Sequence, residues 1–123
     1  MEYNDLTPEE EYIIVKKGTE MPGTGEYNDF YEKGIYICRR CNSALYRSES
    51  KFKSGCGWPS FDEAVDGAVG TRNDFSHGMI RIEIHCNSCK AHLGHVFEDG
   101  PSDTTGMRYC VNSSALNFEP QND

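Results

Sequence analysis

The sequence predicts an all-β protein of antiparallel strands with one short helix at the N-terminus. Three observations carry that reading. Ile80, Ile82 and Ile84 alternate with Arg81 and Glu83, the period of a half-buried strand. Two Cys-x-x-Cys pairs flank other short apolar runs, and beyond the first segment little of the chain has a helical period.

In chain order, Thr7-Pro8-Glu9-Glu10 opens the helix. Thr7 is the N-cap, Pro8 occupies the first helical position, and Glu10 closes a capping box. The helix is expected over 7–17, ending before Gly18. The Gly- and Pro-rich stretch from Thr19 to Tyr27 reads as an irregular loop laid over the fold. Strand-like runs follow at Gly34–Cys38, Ala44–Tyr46, Met79–Ile84, His95–Phe97 and Met107–Val111. Residues 119–123 read as a frayed tail.

The whole chain, 1–123, is read as one domain. With 37% hydrophobic residues and a mean hydropathy of -0.68, its core is thin, and a metal staple would help to hold it. The net charge of -8 argues against nucleic acid as a partner. Arg39, Arg40, Arg47, Lys51 and Lys53 gather near the first cysteine pair and read as a solvated face beside anionic thiolates. No apolar run approaches the ~18 residues of a membrane span, and the first residues lack a signal pattern. A soluble, cytoplasmic monomer without membrane partners is expected, in a compartment where thiols stay reduced.

The six cysteines divide into four and two. Cys38, Cys41, Cys86 and Cys89 have the spacing that brings sulfurs to about 2.3 Å from one zinc ion, and four thiolates close such a site. A redox Cys-x-x-Cys would want a βαβ context, which is absent, and disulfides would want an oxidising compartment. Strands lying side by side would bring the two pairs together.

Cys56 and Cys110 stand outside that set. Arg108, Cys110 and Asn112 share one face of an extended run, and a guanidinium beside a thiol favours the nucleophilic thiolate. A buried structural cysteine explains the run equally well. Cys56 lies between two glycines in a segment that can swing. A fixed thiol and a mobile one suit a sulfenic-acid cycle. His92, His95 and Asp99 supply acid–base groups, whereas His77 and His85 have no supporting pattern. A zinc-ribbon binding module and a peroxide-sensing dithiol switch are the rival readings.

Together these residues resemble the B-type methionine sulfoxide reductases. The resemblance runs through Gly18-Thr-Glu20, Thr24-Gly-Glu-Tyr27, Gly34-Ile-Tyr-Ile-Cys38, Ser54-Gly-Cys-Gly-Trp-Pro-Ser-Phe61, His92-Leu-Gly-His-Val-Phe97, Asp99-Gly-Pro101 and Arg108-Tyr-Cys-Val-Asn-Ser113. It implies a β-tent fold of two small antiparallel sheets with one structural Zn2+. It implies reduction of methionine-(R)-sulfoxide, mainly in oxidised proteins or peptides, as a repair reaction. Cys110 would be the nucleophile and Cys56 the resolving thiol, with thioredoxin as reductant. Trp58 would wall the pocket for the substrate methyl group, and His92, His95, Asp99, Arg108 and Asn112 would line its polar side. His95, held by Asp99, would be the proton donor. The 102–106 segment would affect substrate access.

Overall fold

The computed structural model describes residues 3–121. Its helix, α1 (Pro8–Ile14), opens as the sequence predicts. The Thr7 hydroxyl accepts from the Glu10 N–H at 3.2 Å, and Glu10 accepts from the Thr7 N–H at 2.9 Å. The helix stops earlier than expected. Lys17 takes a left-handed conformation (φ 60), and the Gly18 N–H turns back to the Tyr12 carbonyl at 2.9 Å. Ile13 and Ile14 are buried, with the helix against strand β7 (His92–Phe97) and the turn at Ser113–Ala115.

The other strands are β1 (Gly34–Cys38), β2 (Ala44–Arg47), β3 (Lys51–Phe52), β4 (Ser60–Phe61), β5 (Val69–Asp74), β6 (Arg81–Cys86), β8 (Arg108–Val111) and β9 (Leu116–Pro120). They form two antiparallel sheets, one ordered β2-β1-β9 and the other β3-β4-β8-β7-β6-β5. Aromatic side chains join the sheets. Phe61 of the larger sheet stacks on Tyr46 with centroids 4.3 Å apart and meets the edge of Tyr36 at 5.1 Å. All three are fully buried, each contributing about 2 kcal/mol or more of hydrophobic stabilisation.

Several expectations need correction. The run at Met79–Ile84 is a strand only from Arg81, and Ile80 is 79% exposed. The simple alternation fails because β6 is an inner strand buried on both faces, with Glu83 and Ile84 both enclosed. Four strands went unpredicted: the two-residue β3 and β4, and the longer β5 and β9. Glu119 and Pro120 are not a frayed tail, since β9 pairs with β1 from Gly34↔Pro120 to Cys38↔Leu116. Residues 122 and 123 lie outside the described residues.

The cationic cluster is not simply a solvated face either. Arg39 pairs with Glu10 at 2.5 Å and donates to the Leu116 carbonyl at 2.7 Å. Arg40 donates to the Cys89 carbonyl, and Lys51 donates to that of Phe30. These three charges stitch the fold together, while Arg47 and Lys53 are exposed. Among the described residues no helix is long and apolar enough to cross a membrane.

Candidate active site

The two cysteine pairs occupy equivalent turns. Cys38 N–H bonds to Ser43 O at 2.8 Å and Cys86 N–H to Ala91 O at 2.9 Å. Asn42 and Lys90, one residue past each pair, are both left-handed (φ 66). The turns cap hairpins β1–β2 and β6–β7, which belong to different sheets, so side-by-side strands are not what brings them together. The Sγ atoms of Cys38 and Cys89, and of Cys41 and Cys86, are 3.6 Å apart, and all four lie within 4.8 Å of one another. A tetrahedron of bonds about 2.3 Å long has edges near 3.8 Å, so the four sulfurs fit a closed metal site. Two of its hairpins then fasten the sheets to each other.

The remaining cysteines meet elsewhere. Cys110 lies on β8, between β7 and β4, with Ser60 and His95 as its cross-strand neighbours. Gly94 permits that position: a Cβ there would fall 1.9 Å from the Cys110 carbonyl oxygen. Cys56 lies in the loop before β4, flanked by Gly55 (φ 76) and Gly57 (φ 98), conformations that favour glycine. The loop brings its Sγ to 3.2 Å from that of Cys110.

Both thiols face a cleft of about 250 Å³. Trp58 and Phe97 supply apolar walls, and His95, Arg81 and Arg108 supply polar ones. The Trp58 indole N–H donates to the Glu20 carbonyl at 3.0 Å, which fixes the ring. Asn112 lies 4% exposed at the cleft. Its amide donates to Leu93 O at 3.1 Å and its oxygen accepts from Glu20 N–H at 3.1 Å, so much of its bonding capacity is already committed to the scaffold.

Asp99 does not hold His95. It grips Arg108 with two bonds, of 2.7 Å to Nε and 3.0 Å to Nη2, which leaves Nη1 2.6 Å from the Cys110 sulfur. The carboxylate beside His95 is Asp74, at the end of β5, with Oδ2 2.7 Å from His95 Nε2. The hydrogen bond from His95, then those from the Ser76 N–H and hydroxyl, hold Asp74 well below the usual carboxylate range.

His92 does not line the cleft. It is 2% exposed, and its Nδ1 lies 2.8 Å from the carboxylate of Glu83. Burial would raise Glu83, but the bonds from Arg72 and His92 and the nearby charge of Lys17 outweigh it and bring Glu83 down to about 2. Burial also lowers His92, so the imidazole is neutral and donates from Nδ1. Sequence reasoning missed Asp74 and Glu83. Recognising β5 would have brought Asp74 onto the sheet, two residues along from Arg72, which shares the row of Glu83 and His95.

The two thiols differ. Burial raises Cys56, yet bonds from Ser54, Ser60, the Trp58 backbone and Cys110 bring it down to about 7. Cys110 is pushed up to about 12 by burial and by the neighbouring Cys56, with Arg108 pulling the other way. The guanidinium contact expected from the sequence is present, with Nη1 2.6 Å from the Cys110 sulfur, and the ionisation of each thiol depends on the other across the 3.2 Å gap.

A SelR domain family model matches residues 6–120. The peptide methionine sulfoxide reductase MsrB of Burkholderia mallei is 56% identical over 115 residues, covering 93% of this chain and 80% of that protein. The protein of the same name from Burkholderia pseudomallei matches to the same extent. That from Burkholderia lata is 54% identical over 121 residues, covering 96% of this chain and 85% of its own length. With the fold, the four-cysteine cluster and the paired cysteines in place, these matches show that the chain belongs to the SelR-domain family, that of the B-type peptide methionine sulfoxide reductases.

Proposed function

We propose that this chain reduces methionine-(R)-sulfoxide in oxidised proteins and peptides to methionine, as a repair enzyme of the cytoplasm. The observation that carries the reading is the Cys56–Cys110 pair, two sulfurs 3.2 Å apart in a cleft walled by Trp58.

A sulfoxide becomes electrophilic at sulfur once its oxygen accepts a proton or a strong hydrogen bond. His95, oriented by Asp74, is the donor. The two sulfurs share one proton across the short gap between them, and in the reactive form that proton is on Cys56. Arg108, clamped by Asp99, steadies the charge left on Cys110. The Cys110 thiolate attacks the sulfoxide sulfur and forms a transient S–S bond; the protonated oxygen then transfers to Cys110 as the S–O and S–S bonds both break, leaving Cys110 as a sulfenic acid and releasing methionine, which keeps the electron pair. Cys56 then attacks that sulfur, forming a disulfide and releasing water. A dithiol protein such as thioredoxin supplies two electrons and two protons to restore both thiols. With the substrate methyl group against Trp58 and the oxygen towards His95, only one epimer presents its sulfur to Cys110.

The four-thiolate site suits zinc, held by Cys38, Cys41, Cys86 and Cys89 for shape alone, because four protein ligands leave no open position. The test of the function is thioredoxin-coupled turnover of resolved sulfoxide peptides. The R epimer should be consumed and the S epimer left; equal rates, or no turnover of R, would refute the proposal.

Two substitutions probe the steps. Cys56→Ser should reduce one equivalent of sulfoxide per chain and then stall with thioredoxin. Sustained thioredoxin-driven cycling would remove Cys56 from the scheme. Asp74→Asn should lower kcat by about 10- to 100-fold with little change in KM, because His95 loses its orientation and not its contact with substrate. Asp74→Glu should restore part of that loss. A rise confined to KM, or no recovery with glutamate, would deny Asp74 this positioning role.

A further inference from the structure

A second depression, of about 280 Å³, adjoins the cleft of the paired thiols, and Thr19, Arg81 and His95 line both. Its other walls include Lys16, Lys17 and Asp74. Three cations and one carboxylate therefore face a single small space, on a chain whose net charge is -8. The reaction steps above make no use of that local charge.

We infer that this depression receives the acidic side chain of a residue one or two positions from the oxidised methionine, with Arg81 as its main partner. The inference rests on the reductase reading above and adds a preference among its substrates. Arg81 is under-bonded. Its Nη2 lies 3.5 Å from Asp74 Oδ2 and 3.4 Å from the Ser76 hydroxyl, both longer than the ~2.7–2.9 Å of a charge-assisted bond. Nε is buried without a partner, and Nη1 makes no bond among the described residues. Asp74 does not satisfy this guanidinium, because the same Oδ2 is 2.7 Å from His95 Nε2. A second carboxylate would complete it.

The lysines extend the field. Lys17 ends the helix in a left-handed conformation, half exposed, with its Nζ 3.4 Å from Glu83. Glu83 is already matched by Arg72 at 2.8 Å, so Lys17 is only partly neutralised. Lys16 beside it is exposed. With Glu83 and Arg72 included, cations still outnumber carboxylates by four to two. Consecutive Cα atoms are about 3.8 Å apart, so a sulfoxide seated in the cleft brings its near neighbours over the adjoining depression. Phe75 and Ile80 are exposed on the turn between Asp74 and Arg81 but line neither space, so an apolar neighbour gains less there.

The test compares amidated R-sulfoxide peptides carrying Glu, Leu, Ala or Lys on both sides of the oxidised methionine. At low ionic strength kcat/KM should be about fivefold higher for the Glu peptide than for the Ala peptide, and lowest for Lys. The difference should shrink in about 0.5 M salt. The overall charge of the chain would favour the Lys peptide, so the sign of the effect reads the local site. In Arg81→Gln the Glu-to-Ala ratio should fall towards one, whereas Arg81→Lys, which keeps the charge, should retain part of it. The ratio is taken within each enzyme, so a general loss of activity cancels, and the salt series in unaltered enzyme stands without any variant. An Ala peptide ending in the oxidised methionine, with its carboxylate free or amidated, separates main-chain from side-chain carboxylate. Equal rates for Glu and Ala, a preference for Leu over Glu, or a gain from the terminal carboxylate alone would overturn the inference. Failure of every R-sulfoxide peptide to turn over would instead overturn the reductase reading.

Discussion

Cys110→Ser is expected to abolish sulfoxide turnover, by at least about 10⁴-fold, and to remove the single-turnover burst as well. The side chain is half-buried and serine is smaller, so the variant should fold with the metal site intact. What disappears is a polarisable sulfur that can accept an oxygen and then give it up as water. A serine hydroxyl beside Arg108 stays protonated at neutral pH and has no equivalent of the sulfenic acid. The contrary outcome is specific. Cys56 carries the lower of the two values, about 7 against about 12. If Cys110→Ser kept turnover within tenfold while Cys56→Ser lost the burst, the roles of the two sulfurs would be reversed.

The second large effect concerns stability. Cys86→Ser should release the metal and leave the protein largely unfolded at 37 °C. A structural zinc supplies ~10–16 kcal/mol in small domains, comparable with the ~5–15 kcal/mol by which whole domains are stable. Serine removes one thiolate of the quartet, and with it the fastening between hairpins β1–β2 and β6–β7. The aromatic contact of Phe61 with Tyr36 and Tyr46 would remain as a direct apolar link between the sheets. Metal content by elemental analysis and a thermal melt check the outcome together. A variant with full zinc content and an unchanged Tm would show that Cys86 is not a ligand.

The parts of the structure legible in the sequence are those set by local chemistry. The capping box of α1 needs only Thr7, Pro8 and Glu10. The knuckles need only their two-residue spacing, and the left-handed Asn42 and Lys90 repeat one turn geometry in both. Spacing divided the six cysteines into quartet and pair, the resemblance added the roles of Cys56 and Cys110, and the structure brings each group together.

The parts that were not legible depend on partners distant in the chain. Strand β5 reads Val-Gly-Thr-Arg-Asn-Asp and shows no apolar alternation, because it is an edge strand whose inward contact is an ion pair, Arg72 to Glu83 at 2.8 Å. Strand β9 is held to β1 by backbone ladder bonds, which leave little trace in side-chain pattern, and its Glu119 and Pro120 suggest a tail. Asp99 lies four residues from His95 and looked like its partner. The chain instead turns after Phe97, so Asp99 reaches Arg108, whose ring stack on Phe97 has a spacing of 4.5 Å. Asp74 reaches His95 across the sheet, and that pairing has no local signature. Glu83 was read as the exposed face of its strand because a buried carboxylate is rare without a partner; here it has three, Arg72, Lys17 and His92.

The central claim is that one equivalent of methionine-(R)-sulfoxide converts the two unligated cysteines into a single bridge and touches no other thiol. The direct measurement is peptide mapping by mass spectrometry after the reduced protein meets one equivalent of an R-sulfoxide peptide, with no reductant present. The account predicts one crosslink, between Cys56 and Cys110, together with one equivalent of methionine and four thiolates still on their metal. Methionine formed without that crosslink, or a bridge within Cys38, Cys41, Cys86 and Cys89 in its place, would contradict it.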